Sequence, residues 1–182
     1  EYLPFTRAMH AAARAVALAA LDRPAEARAE QRAFLERRAL VPEGAFFGNN
    51  MAHDLLNVAE RLVEGEILYR EGAKDAGIAA LYEAAVLEDG LRYDEPPDWI
   101  QPIRHALGAT LMQEGRFSEA AKVYREDLER LPDNGWSLFG LARALRLAGK
   151  HEEAELVEAR FDEAWAGADI ALRSSCFCQP GV

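Results

Sequence analysis

Between Tyr93 and His105 the chain collects Tyr93, Glu95, Trp99, Arg104 and His105, which bring an acid, a cation, a base and two aromatic rings into one short stretch. The chemistry on offer is an ion pair between Glu95 and Arg104 and a histidine that titrates near neutrality. Catalysis would require a nucleophile with an activating partner, and the stretch supplies neither. It therefore reads as a loop pinned by an ion pair and a buried tryptophan, and no residue is assigned a catalytic role. The competing reading is an enzyme or small-ligand binder with a pocket beneath the Glu95, Pro96, Pro97 loop, served by Tyr93, Glu95 and His105.

A second polar group is Asn49, Asn50, His53, Asp54 and Asn57, in which Asn49 or Asn50 suits a helix N-cap and His53 shares a helical face with Asn57. A metal there would need a further ligand, and His10, His105 and His151 fall on separate hairpins. Cys176 and Cys178 stand one residue apart, which is neither the zinc-ribbon nor the thioredoxin spacing, and no second pair accompanies them. They are weak metal candidates. A disulfide closed within so short a loop would be strained, so a bond to another chain competes with it. Glu152, Glu153, Glu155 and Glu158 read as a solvated helix face, and no cofactor is expected.

Helical hairpins must hold these groups. Leu107, Gly108, Leu111, Gly115 and Ala120 recur 34 positions later as Leu141, Ala142, Leu145, Gly149 and Ala154. That period, with those residue types, is the signature of the tetratricopeptide (TPR) repeat, a pair of antiparallel helices. Gly108 or Ala142 on the first helix faces Ala120 or Ala154 on the second, where small residues let the backbones meet. The leucines form the apolar stripe, Gly115 and Gly149 end the first helices, and Pro132 stops a second helix so that Asp133 can cap the next. The same spacing appears as Ala15, Leu18, Asp22, Ala27 and as Gly65, Leu68, Gly72, Gly77. The fold class is therefore all-α, a TPR-like right-handed superhelix of about four hairpins over residues 4–40, 51–89, 99–131 and 134–166, in one solenoid through residue 172.

Two insertions interrupt the repeats. Val41 to Asn50 carries Phe46 and Phe47, which are expected to cap the groove between hairpins, and Tyr93 to Trp99 is stiffened by Pro96 and Pro97. Residues 173–182 are expected to be a flexible tail. A formal charge of −10 argues against nucleic acid or an anionic membrane as the main partner. No segment is long and apolar enough for membrane insertion. A start at Glu1, directly in a repeat, suggests that an amino-terminal portion is missing, so the compartment, cytoplasmic or periplasmic, is open.

The loop Tyr93, Asp94, Glu95, Pro96, Pro97, Asp98, Trp99, the segment Asn134 to Gly140 and the ending Phe161, Asp162, Glu163, Ala164, Trp165 resemble the carboxy-terminal part of a bacterial TPR-protein family. The Cys176 and Cys178 ending is outside that pattern. The resemblance implies the fold and further repeats upstream, and it implies no particular activity. TPR arrays in general bind a protein or peptide on the concave face lined by their first helices. By repeat position that lining would be Met9, Ala12 and Val16; Leu62, Glu66, Tyr69 and Arg70; His105, Ala109 and Met112; and Trp136, Phe139, Arg143 and Arg146. Leu62 and Glu66 occupy places where chaperone adaptors carry a carboxylate clamp, so a chaperone adaptor is not expected. The sequence thus points to a non-catalytic interaction scaffold. Self-association through Phe46 and Phe47 or an uncapped first hairpin is a further possibility, and Trp136 and Phe139 are as suited to filling the space between hairpins as to binding.

Overall fold

Four leucine carbonyls mark the repeats. Leu18, Leu68, Leu111 and Leu145 each accept the N–H of the residue five positions on, Arg23, Ala73, Arg116 and Lys150, all at 2.9 Å. The residue just before each donor has a positive φ, at Asp22, Gly72, Gly115 and Gly149. This is the same Schellman ending four times, and it closes the first helix of each hairpin. Asp22 adopts in the first hairpin the left-handed turn that glycine takes in the others, which is why the spacing rather than the glycine carried the alignment.

The structure, a computed structural model, describes residues 2–179. Contacts divide the chain into two compact units, Glu1–Ile103 and Arg104–Val182. The helices are α1 (Pro4–Ala20), α2 (Pro24–Arg38), α3 (Ala52–Arg70), α4 (Lys74–Asp89), α5 (Ile103–Gln113), α6 (Phe117–Arg130), α7 (Gly135–Leu147) and α8 (His151–Trp165). Pro4 and Pro24 begin their helices, where a missing N–H costs nothing. The fold is all-α and TPR-like, with one small addition: Phe46–Phe47 (β1) pairs antiparallel with Asn50–Met51 (β2).

In the first unit α1 turns an alanine face, Ala8, Ala11, Ala15 and Ala19, toward Ala27 and Phe34 of α2 and Leu56, Ala59, Val63 and Ile67 of α3. At the α3–α4 crossing the backbones nearly touch: a Cβ on Gly77 would lie 2.8 Å from the Gly65 carbonyl oxygen. Charges then tie α2 to α3. Arg28 bonds Glu64 and Glu71, each at 2.6 Å, and Arg38 bonds Glu60 and Asn57. The Glu71 and Glu64 carboxylates hold the Arg28 guanidinium above its ordinary range.

In the second unit the cap of α7 differs from expectation. Asn134, not Asp133, is the N-cap, its side-chain oxygen accepting from Trp136 N at 3.0 Å, while Asp133 takes a positive φ and pairs with Arg160. The glycine at 108 also has another reason than the α5–α6 backbone approach. Its Cβ would fall 2.4 Å from the ring of Tyr124, and a Cβ on Gly140 would fall 2.3 Å from the same ring. The phenol is thus gripped between α5 and α7.

Candidate functional site

Tyr124 is the buried centre of the second unit's polar network. Its hydroxyl lies 2.6 Å from Ser175 Oγ, which donates to the His105 carbonyl oxygen at 3.0 Å, so Tyr124 is the donor to Ser175. Burial pushes the phenol well above its ordinary range and keeps it protonated. One turn further along α6, Asp127 accepts from Ser137 Oγ at 2.6 Å and lies 3.3 Å from His105 Nε2. A serine, a histidine and an aspartate therefore meet, in the wrong order for acyl transfer. The serine proton goes to the carboxylate rather than to the imidazole, and Ser137 is buried.

Above this network α5 and α7 form a groove, and residues 173–179 lie in it. Ala109, Met112 and Gln113 of α5 and Phe139, Gly140 and Arg143 of α7 line it together with Tyr124, Arg173, Ser174 and Ser175. The space left is about 20 Å³, room for a single water. Gln179 Nε2 donates to Thr110 Oγ1 at 3.0 Å, and the Phe177 ring meets Trp136 edge-on at 5.2 Å. The stretch expected to be a loose tail is thus anchored through residue 179, with Ser175, Cys176 and Gln179 buried; residues 180–182 lie outside the described part. Cys176 and Cys178 are bonded to each other, which corrects the expectations of an interchain bond and of a metal pair, since neither sulfur is a thiolate. Among the described residues no three His, Cys, Asp or Glu side chains converge on a metal position.

The lining residues expected from repeat position fall into two groups. Trp136 and Phe139 belong to an aromatic cluster, Trp136 edge-on to Trp165 at 5.7 Å and Phe139 5.8 Å from Phe161, so both pack and border the groove. Arg143 is exposed, with its guanidinium over Phe139 at 5.7 Å. Arg146 is turned away into a two-pronged pair with Glu158 at 2.5 Å. His105, Ala109 and Met112 are buried, beneath or beside residues 173–179. In the first unit Leu62 packs against Val58, Ala84, Ala85 and Ile103. Tyr69 is nearly buried, with the cations of Arg70 and Lys74 over its ring. Met9 and Val16 pack on the core, and Ala12 is buried within it. Glu66 is fully buried, and neither carboxylate oxygen meets a hydrogen-bond donor among the described residues.

The loop site does not assemble as expected. Arg104 Nε is 3.7 Å from Glu126, Glu95 is exposed, and Tyr93, 79 % exposed, shares a hydrogen bond with Glu95 that raises its phenol pKa. Trp99 is half-buried against the first unit's core and donates to Gln101 O at 2.8 Å. The two asparagines are not caps; Met51 is the N-cap residue of α3 and makes no side-chain cap. Asn50 instead bonds both the N–H and the carbonyl of Arg92, at 2.7 and 3.1 Å, and Asp98 at 2.8 Å, while Asn49 reaches Asp94, Asp98 and Tyr93 O. His53 bonds Val41 O. The β1–β2 turn is therefore the latch of the 92–98 loop, a role that two polar clusters 40 residues apart in sequence do not advertise. Asn50→Ala should cost about 1 kcal/mol by removing the hydrogen bonds to Arg92's backbone, and hydrogen exchange should show faster amides across 92–98 while α1 and α2 keep their protection.

Residues 111–157, from the end of α5 through α6 and α7 to the first half of α8, match the family model described as Tetratricopeptide repeat. No curated protein sequence matches the chain. A solved structure of a mutant of MamA is similar over 91% of this chain and 96% of that one, at 20% identity and a TM-score of 0.35, a likeness too loose to bear on function. No helix of the described residues is long and apolar enough to cross a membrane. The hairpins are TPR-like, and the repeat family's match falls within the second unit.

Proposed function

We propose that this chain is a non-catalytic docking module that takes an extended peptide of a partner protein in the α5–α7 groove. One observation supports the reading: Met112, Phe139 and Arg143, first-helix positions of consecutive repeats, line a single groove in which a segment of the chain's own backbone, Arg173 to Ser175, is already seated. Apolar and aromatic walls supply area at low entropic cost, and Arg143 with Arg173 at the rim offers cations to a partner's carboxylates on a chain of formal net charge −10.

Arg143 is the residue to test, because it is exposed and its loss leaves the Trp136 and Trp165 packing intact. Partners captured by the intact chain should be lost with Arg143→Glu and kept with Arg146→Ala, whose native pair to Glu158 lies off the groove. Equal recovery with both variants would remove the assignment.

A further inference from the structure

We propose that residues 173–179 are an internal ligand of the α5–α7 groove, held in place by the Cys176–Cys178 disulfide, and that a partner peptide gains the groove by displacing them. The proposal rests on the docking role of that groove given above. The seated segment makes contacts of three kinds, each of which an unrelated peptide could reproduce. Ser175 takes the Tyr124 hydroxyl and gives its own proton to His105 O, Phe177 meets the edge of Trp136, and Gln179 reaches Thr110. A hydroxyl residue, an aromatic two positions on and an amide two further on is accordingly the pattern of a competing partner.

The disulfide supplies the affinity that so short a segment would lack. It closes Cys176 to Cys178 around Phe177, and Cys178 N donates to Cys176 Sγ. A closed turn has fewer conformations to lose on docking, so occupancy by the segment is favoured while the bond is intact. Phe177 is 84 % exposed despite its contact with Trp136, so the tip of the closed turn lies at the surface while Ser175, Cys176 and Gln179 hold the segment in the groove. A dithiol would reverse the closure: its two S–H hydrogens pass to Cys176 and Cys178 as the S–S bond breaks, and the dithiol closes to its own disulfide.

The test uses the full chain, oxidised and after dithiothreitol, alongside Ser175→Ala. The probe is a labelled synthetic peptide of residues 173–179 with its disulfide closed, and the reduced chain is alkylated with iodoacetamide and freed of dithiothreitol before mixing, so that no thiol is left to exchange with the probe. Reduction and Ser175→Ala should each speed amide exchange of 175–179 at least tenfold, leave α5 and α7 protected, and tighten probe binding at least tenfold over the oxidised chain. Unchanged exchange of the segment in both, or equal probe affinity with the segment in place, overturns internal occupancy. Loss of protection throughout α5 and α7 in both cases overturns it too, since the segment would then be core. Release of the segment with no probe bound in any form contradicts instead the groove as a peptide site.

Discussion

Gly140→Ala is expected to destabilise the second unit by about 2 kcal/mol, although alanine is by about 1 kcal/mol the better helix former. The added methyl would sit 2.3 Å from the Tyr124 ring. The ring cannot retreat, because Gly108 closes its other side and its hydroxyl is fixed to Ser175. Gly108→Ala meets the same ring from the opposite helix and should cost a similar amount. In a Tyr124→Leu background both costs should shrink, a coupling that a double-mutant cycle in urea would measure. Additive effects would show that the two glycines are not there for the phenol. Because Tyr124 also holds Ser175, either alanine should loosen residues 173–179.

Glu66→Gln should raise stability in alkaline buffer and leave it nearly unchanged in acid. Burial pushes the Glu66 carboxyl up from 4.5 to about 7, against the opposing charge of Arg70 one turn away. Below about pH 4.5 the group is protonated in both the folded and the unfolded chain, so it imposes no charge penalty. Between there and about pH 7 the unfolded chain gives up the proton while the folded chain keeps it, and stability falls as pH rises. Above about pH 7 the full penalty stands, on the order of 3 kcal/mol. Glutamine removes the charge but not the unmet polarity of the site, so the gain at pH 8.5 should be about 2 kcal/mol. Urea unfolding of both chains at pH 4.5 and 8.5 checks it, and parallel pH profiles would show that Glu66 finds a partner when ionised.

What the sequence made legible follows from what is local. The helix ends are set by residues within five positions of one another, so Leu18 with Asp22 and Leu145 with Gly149 could be aligned from spacing alone. Repeat position nominated Met112, Phe139 and Arg143 for the same reason, and all three border the α5–α7 cavity. The remainder was set by distant pairings. Asn50 looks like a cap until Arg92 and Asp98 are beside it, and Glu95 looks like the partner of Arg104 until Glu126 takes that place. Arg146 repeats the spacing of Arg143, yet Glu158 on the neighbouring helix withdraws it. Residues 173–179 carry no periodic signal, and their order comes from Tyr124, His105 and Thr110, 51 to 70 positions earlier.

The most direct test of the α5–α7 groove is a random-peptide display selection on the reduced full chain, followed by affinity measurement of the enriched peptides against the intact chain and Arg143→Glu. The groove predicts peptides combining an aromatic with an acidic residue, bound at least tenfold more weakly by Arg143→Glu and protecting amides of α5 and α7 from exchange. Peptides that bind both chains equally and protect another surface would contradict it.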